Sequence, residues 1–262
     1  MVNKYWLEAK NISCFKNGFR VIKDLNLKIA DSENVILIGP NGSGKSSLIE
    51  LINRNIYPVI VNESELKIFD KTLINLWELR KRISTVNNDI KNRINPNLNV
   101  FDLILSGLYG RYCYVQKKSE RDYHKVKKIM KKMNISYLSK KNFSYLSDGE
   151  RQFSLIARAL IKKPEILILD EPIANLDYKS KFFVIDKVNE LSKLNTKILC
   201  VTHDISTITK IYDRVILIKD GKIIADGNQN KVITSDNLNK LYGIKVKVNK
   251  NNGLWNINRL SK

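Results

Sequence analysis

The chain lacks any hydrophobic stretch of the about 18 residues that a membrane span needs, so no segment is expected to cross a bilayer. Its first residues, MVNKYWLEAKNIS, contain no apolar core of the signal-peptide kind, so no secretory signal is expected. Cysteine is scarce. Cys14, Cys113 and Cys200 are scattered, odd in number and form no C-x-x-C pair. This argues against a disulfide framework and against a cysteine-built zinc site, and it fits a reducing cytoplasm. Only two histidines occur, His124 and His203. There is no internal repeat, no flexible linker and no long heptad insertion. At 43% hydrophobic and 27% charged residues, the chain can still build a full globular core.

Acidic residues are in deficit. Lys and Arg number 46 against 26 Asp and Glu, which leaves a net charge of +20. One reading is an anionic partner, nucleic acid or lipid. The other is a composition rich in Lys, Asn and Ile throughout, as an AT-rich genome produces, and the even spread of lysines favours it. The one dense run is Lys125, Lys127, Lys128, Lys131 and Lys132. Tyr123, Val126, Ile129 and Met133 keep helical spacing through it, which predicts a helix with a buried stripe and a solvated basic face. His124 falls on that helix and is expected at the surface.

Against these absences stand four short apolar runs: VILIG at 35–39, EILILD at 165–170, KILCVTHD at 197–204 and RVILIKDG at 214–221. Each is continuous rather than alternating, as strands buried on both faces are. Helical stretches separate them, so βαβ units and a parallel sheet are expected. The first 35 residues differ. Trp6, Leu7, Ile12, Val21, Ile22, Leu25, Leu27 and Ile29, with a turn signal at Asn17-Gly18, predict an antiparallel layer. Residues 245–250, followed by Asn251-Asn252-Gly253, predict a final hairpin.

The chemistry begins after the first buried run. Gly39-Pro40-Asn41-Gly42-Ser43-Gly44-Lys45-Ser46 matches G-x-x-x-x-G-K-[ST] between a strand and a helix. In such a P-loop the glycines let backbone N–H groups converge on a phosphate. Lys45 would reach the β- and γ-phosphates, Ser46 would offer its hydroxyl to Mg²⁺, and Ser47 would help with the α-phosphate. Asp170 ends the ILILDE strand, where it can hold Mg²⁺ through water, and Glu171 follows where an attacking water would sit. His203 ends a further strand, expected beside ILILDE, and would bond the γ-phosphate. Finally, SYLSDGERQ at 144–152 reads as a capped helix start, with Phe153, Ile156, Ala157 and Leu160 at helical spacing. A helix N-terminus is also an anion site, so this segment could cap, or hold a phosphate, or both.

Together these residues resemble the nucleotide-binding subunit of ATP-binding cassette transporters over nearly the whole chain. The order is the P-loop at 39–46, LSDGERQ at 146–152, ILILDE at 166–171, the ANLD turn at 174–177, then His203. The resemblance implies one ATPase domain across residues 1–262: an α/β P-loop core of parallel strands with helices on both faces, an antiparallel β layer over 1–35 and a helical subdomain over 91–160. It implies ATP and Mg²⁺ as cofactors, and a head-to-tail dimer in which Ser147 and Gly149 of one copy meet the γ-phosphate held by the other. Asp177 would bridge the two sites. The partners implied are a separate membrane-spanning permease and, as an optional third component, a solute-binding protein. Nucleic acid is not an expected partner. The implied place is the cytoplasmic face of the cell membrane, held peripherally.

Three stretches depart from the family pattern. Where the family carries Gln in R-I-x-x-V-x-Q, Arg82-Ile83-Ser84-Thr85-Val86-Asn87-Asn88 places Asn88, one methylene shorter, as a Mg²⁺ contact. LSDGE replaces LSGGQ, which brings the charge of Asp148 toward a phosphate site at small cost if the carboxylate points outward. The usual adenine-stacking aromatic falls at Lys16, which leaves the adjacent Phe15 as the stacking candidate. The tail TSDNLNKLYGIKVKV is similar to the tails of ATPases serving metal-chelate and related importers. The alternative function is a soluble, non-transport cassette acting on nucleic acid, ribosomes or cofactor assembly. Translation cassettes carry two cassettes in one chain and DNA-repair cassettes a long coiled coil; neither feature is present.

Overall fold

The computed structural model describes residues 4–61, 63–87, 89–113, 115, 119–191, 195–251 and 253–260. The chain divides into two compact units, residues 1–80 with 197–262, and residues 81–196.

The first unit opens with β1 (Tyr5–Lys16) and β2 (Phe19–Ala30). They are antiparallel and joined at Asn17-Gly18, both at positive φ, the geometry a two-residue hairpin turn demands. A third strand, β4 (Glu65–Ile68), pairs on the other side of β1, so the antiparallel layer draws a strand from beyond the P-loop helix. The second sheet of this unit centres on β3 (Val35–Ile38). It is flanked in parallel by β7 (Lys197–Thr202) and β8 (Arg214–Lys219), with β9 (Lys222–Gly227) antiparallel on β8. All four residues of β3 are buried, as are the central residues of β7 and β8, which is why their sequences run apolar without alternation. The helix α1 (Lys45–Ile52) follows β3. The short helices α8 (Gln229–Val232) and α9 (Ser235–Tyr242) and the hairpin of β10 (Val246–Asn251) with β11 (Leu254–Arg259) close the unit.

Helix α2 (Leu76–Arg82) leads into the second unit. Here β5 (Ile83–Val86) and β6 (Ile166–Asp170) pair in parallel, with Val86 opposite Leu169. Between them lie α3 (Asp89–Arg93), α4 (Val100–Tyr109), α5 (Glu120–Lys132) and α6 (Asp148–Leu160); α7 (Tyr178–Leu191) follows β6. Helix α6 is fastened to α4 by Arg158. Its buried guanidinium donates to Ser106 Oγ at 3.2 Å and to the Arg111 carbonyl at 2.6 Å.

The basic helix α5 forms, but its inner face is rotated from the expected stripe. Val126, Met130 and Met133 are buried, whereas Tyr123 is exposed and Ile129 only half-buried. Asp122 takes the inward position in the first turn. Its carboxylate accepts from Tyr109 Oη at 2.6 Å and Ser119 Oγ at 2.8 Å, and Lys125 lies 3.1 Å away. These hydrogen bonds, that of Tyr109 first, hold its pKa down to about 2. A carboxylate so satisfied can occupy an inward position that an apolar count assigns to its neighbour. His124 is exposed.

Candidate functional site

In the first unit, β3 ends at Ile38, level with Thr202 on β7 and Leu217 on β8. The carboxyl ends of parallel strands are where such sheets bind ligands, and residues 39–46 leave from there. The loop cannot carry side chains at two points. A Cβ on Gly39 would lie 2.3 Å from the Ile218 carbonyl oxygen. Gly44 caps α1 at φ 104°, and a Cβ there would stand 2.8 Å from the Val21 carbonyl oxygen. The β8–β9 turn props the loop: Gly221 N–H donates to the Ser43 carbonyl at 2.9 Å, and Lys23 N–H to the Gly221 carbonyl at 2.9 Å.

Lys45 is buried, and its ammonium donates to the carbonyls of Gly39 at 2.8 Å and Pro40 at 3.0 Å. Ser43 Oγ is buried without a hydrogen-bond partner among the described residues. Asn41, Gly42 and Ser46 form an exposed rim, while Ser47 is buried. Helix α1 has no acidic residue in its first turn and no side-chain cap, so its positive end is left for an outside anion. A buried ammonium, an orphaned hydroxyl and an uncapped helix start fit a polyphosphate.

His203 leaves β7 beside this loop, for Gly39 N–H donates to the Thr202 carbonyl at 3.3 Å. Its ring is exposed. Phe15, half exposed, sits near the tip of the β1–β2 hairpin opposite Arg20. Lys16 next to it reaches both Glu50 carboxylate oxygens, at 2.7 and 2.8 Å, and so ties the hairpin tip to α1. The structure therefore gathers Phe15, residues 39–47 and His203 in one unit.

The second unit gathers the others. Asp170 ends β6 half-buried, and Glu171 follows at φ 50°, in the left-handed region that non-glycine residues seldom enter. Strand β5 ends at Val86, level with Leu169; Asn88, two residues on, lies outside the described residues. Asp177 opens α7, its carboxylate accepting from Ser180 N–H at 2.7 Å. Bonds from the Ser180 backbone and hydroxyl draw the Asp177 carboxyl below its usual pKa.

Ser147 is the exposed N-cap of α6. Its hydroxyl accepts from Glu150 N–H at 3.2 Å, and Glu150 Oε2 accepts from Ser147 N–H at 3.0 Å. This is the reciprocal capping box. Gly149 is buried in the same turn, where a Cβ would come within 3.1 Å of Ser180 Cβ. The start of α6 thus rests directly on the start of α7, which Asp177 caps. Asp148 points away from that contact: it is exposed and pairs with Arg151 at 3.3 Å. Lys141 lies 3.5 Å from Glu150, and Lys91, partly desolvated and so lowered in pKa, interacts with Asp148. The extra acid of LSDGE is therefore offset by neighbouring cations.

Sequence reasoning missed the supports: Gly221 under the P-loop, Glu50 on Lys16, Lys91 near Asp148, and Tyr242, whose hydroxyl donates to the His203 carbonyl at 3.1 Å. The Asp220-Gly221 pair and the L-Y-G tail were their visible traces.

A family model described as ABC transporter matches residues 22–174, more than half of the chain. The chain belongs to the ABC transporter family. It is 31% identical to the phosphonates import ATP-binding protein PhnC 2 of Oceanobacillus iheyensis over 250 residues, 90% of this chain and 95% of that one. Among solved structures it resembles CbiO1 of Clostridium perfringens, part of the ABC transporter complex CbiONQ. The TM-score is 0.77 at 26% identity, covering 90% of this chain and 94% of that one. It also resembles the dimeric post-hydrolysis state of the ATP-binding cassette MJ0796 bound to ADP and Pi. That TM-score is 0.68 at 26% identity, covering 85% and 98%. The α/β fold with parallel strands and an N-terminal antiparallel sheet is that of the ABC ATPases. This ABC protein is an ATP-binding and ATP-hydrolysing subunit. Among its described residues no helix is long and apolar enough to cross a membrane.

Proposed function

We propose that this ABC ATPase powers import of a solute through a separate membrane-spanning permease, working as a head-to-tail pair at the cytoplasmic face of the membrane. The observation that carries the reading is the match over 90% of the chain to an ATPase named for import, which leaves no large insertion for another task. A solute-binding protein would deliver cargo from the far side.

In this reading Gly39, Pro40, Asn41, Gly42, Ser43 and Gly44 wrap the phosphates, Lys45 contacts the β- and γ-phosphates, and Ser47 supports the α-phosphate. Ser46, Asn88 and Asp170 hold Mg²⁺, which supplies charge neutralisation when bound. Glu171 orients the attacking water and takes up its proton, His203 bonds the γ-phosphate, and Phe15 stacks on adenine. Ser147 and Gly149 present the start of α6 to the γ-phosphate of the other copy, with Asp177 bridging the two sites. The outward capping box supports this assignment, because it fixes a helix start at the protein surface.

Reconstitution tests the whole reading. The chain is purified with a candidate permease and placed in vesicles with ATP on the cassette side. ATP-dependent movement of solute to the cassette side is the expected result; turnover unaffected by any permease would overturn it. The dimer has its own test. Ser147→Arg should leave ATP binding within about twofold, since the pocket of its own chain is untouched. Turnover should fall by about a hundredfold or more, a barrier increase of about 2.7 kcal/mol. Gel filtration in ATP should show the variant as a monomer, and a wild-type dimer peak would contradict the role of Ser147.

Asn88 is tested by coupling. Asn88→Gln keeps the amide, so ATPase activity should stay within about tenfold, or about 1.4 kcal/mol, of the original. Asn88→Ala deletes it and should raise the ATP hydrolysed per solute moved. An unchanged ratio and unchanged Mg²⁺ dependence would remove Asn88 from the site.

A further inference from the structure

We propose that Tyr242 is a positioning residue for His203, which makes the C-terminal tail part of the hydrolysis machinery. The inference rests on the role given to His203 above. His203 lies just past the end of β7, so the direction of its ring depends in part on what holds the backbone from 202 to 204. Three hydrogen bonds contribute. Gly39 N–H donates to the Thr202 carbonyl at 3.3 Å, Asp204 N–H to Thr202 Oγ1 at 3.1 Å, and Tyr242 Oη to the His203 carbonyl at 3.1 Å. The first two come from the P-loop and the turn itself. The third comes from 39 residues along the chain, and it ends on the His203 peptide itself.

Tyr242 is placed firmly enough to do this. It is the last residue of α9, whose Leu238 and Leu241 are buried. Gly243 stops the helix at φ 70°, with its N–H on the Asn239 carbonyl at 2.8 Å. Asn239 Oδ1 accepts from Val246 N–H at 2.7 Å, and Lys219 Nζ donates to the Lys240 carbonyl at 2.5 Å. The far end of the same segment is also held from the tail side. Gln229 Nε2 donates to the carbonyls of Thr209 at 2.8 Å and Tyr212 at 2.9 Å, while Gln229 Oε1 accepts from Trp255 Nε1 at 3.4 Å. Strand β11 packs on the single turn Ile205–Thr207 between these anchors. The stretch that carries His203 is therefore braced at both ends by residues from 229 to 255.

The Tyr242 bond is partly exposed, and water can satisfy the His203 carbonyl in its absence. Its net contribution to stability is then small. Its directional effect is not replaceable by water, because a mobile water does not fix the peptide plane. A misplacement of a fraction of an ångström at a reacting group lowers turnover severalfold without weakening substrate binding.

The test is Tyr242→Phe, alone and in the His203→Ala background, read by steady-state ATP hydrolysis of the full chain and by thermal melting. In the otherwise wild-type chain kcat should fall about three- to tenfold, with KM for ATP and the melting temperature unchanged. In the His203→Ala background the same substitution should have no further effect, since the ring it aims is gone. A wild-type rate for His203→Ala would overturn the role of His203 and this inference with it. A slow His203→Ala beside a wild-type Tyr242→Phe would overturn this inference alone. An equal loss in both backgrounds, or a lowered melting temperature accompanying the loss, would make Tyr242 a structural residue and overturn it too.

Discussion

Glu171→Gln should stop turnover and leave ATP binding intact, so that the nucleotide-bound pair of subunits accumulates. The expectation starts from the backbone. Strand β6 is buried from Ile166 to Leu169, and the chain turns at Glu171 through φ 50°. Holding a side-chain-bearing residue in the left-handed region costs about 1–2 kcal/mol. Such strain at a strand end beside Asp170 is the kind found where a side chain must be aimed. Glutamine has the same volume and the same backbone preferences within a few tenths of a kcal/mol, so the fold should not register the change. What is lost is the charge that attracts a proton from water. A water-orienting carboxylate contributes at least about two orders of magnitude to the rate, or about 2.7 kcal/mol of barrier. Single-turnover hydrolysis should slow by that factor, while equilibrium binding of labelled ATP stays within about twofold. Glu171→Gly is the control: it removes the charge and the backbone strain together, so it should be inactive yet no less stable to urea. A Glu171→Gln protein that hydrolyses ATP at the wild-type rate would take the role away from Glu171.

The parts of this fold that could be read in advance are those whose signal is local. VILI, ILILD, KILCVT and RVILIK are strands because a sheet covered on both faces needs unbroken apolar runs. Asn17-Gly18 turns the first hairpin because both residues tolerate positive φ. Ser147 caps α6 because a serine three residues ahead of a glutamate satisfies two backbone donors at once. What stayed hidden depends on distant partners. Strand β4, only Glu65–Ile68, buries just Leu66 and Ile68, and its pairing with β1 is decided by the hairpin already present. The inner face of α5 went to Asp122 because Tyr109, on another helix, satisfies its carboxylate. In the candidate site, the P-loop and Glu171 stand out in the sequence as residue types in a fixed order. Gly221, Glu50 and Tyr242 were not, since each acts through one hydrogen bond or ion pair from a remote element.

Lys45→Ala should lose nucleotide affinity while keeping its fold. Lys45 is the first residue of α1, and alanine is at least as good a helix former there. The ammonium is buried and donates to the carbonyls of Gly39 and Pro40. Removing it leaves those carbonyls without this donor, at a cost of about 1 kcal/mol. The larger effect is on the ligand. The loop has no acidic residue in the first turn of its helix to compete with phosphate, and a charge-assisted bond from ammonium to phosphate contributes about 1.5–3 kcal/mol. Kd for ATP should therefore rise by about one to two orders of magnitude. The melting temperature without nucleotide should hardly move, whereas the rise in melting temperature on adding ATP should shrink, because ligand stabilisation follows the ratio of concentration to Kd. The two measurements separate the outcomes: lower stability with unchanged ATP affinity would make Lys45 a structural clasp of the loop, and unchanged affinity in a stable protein would contradict the P-loop assignment itself.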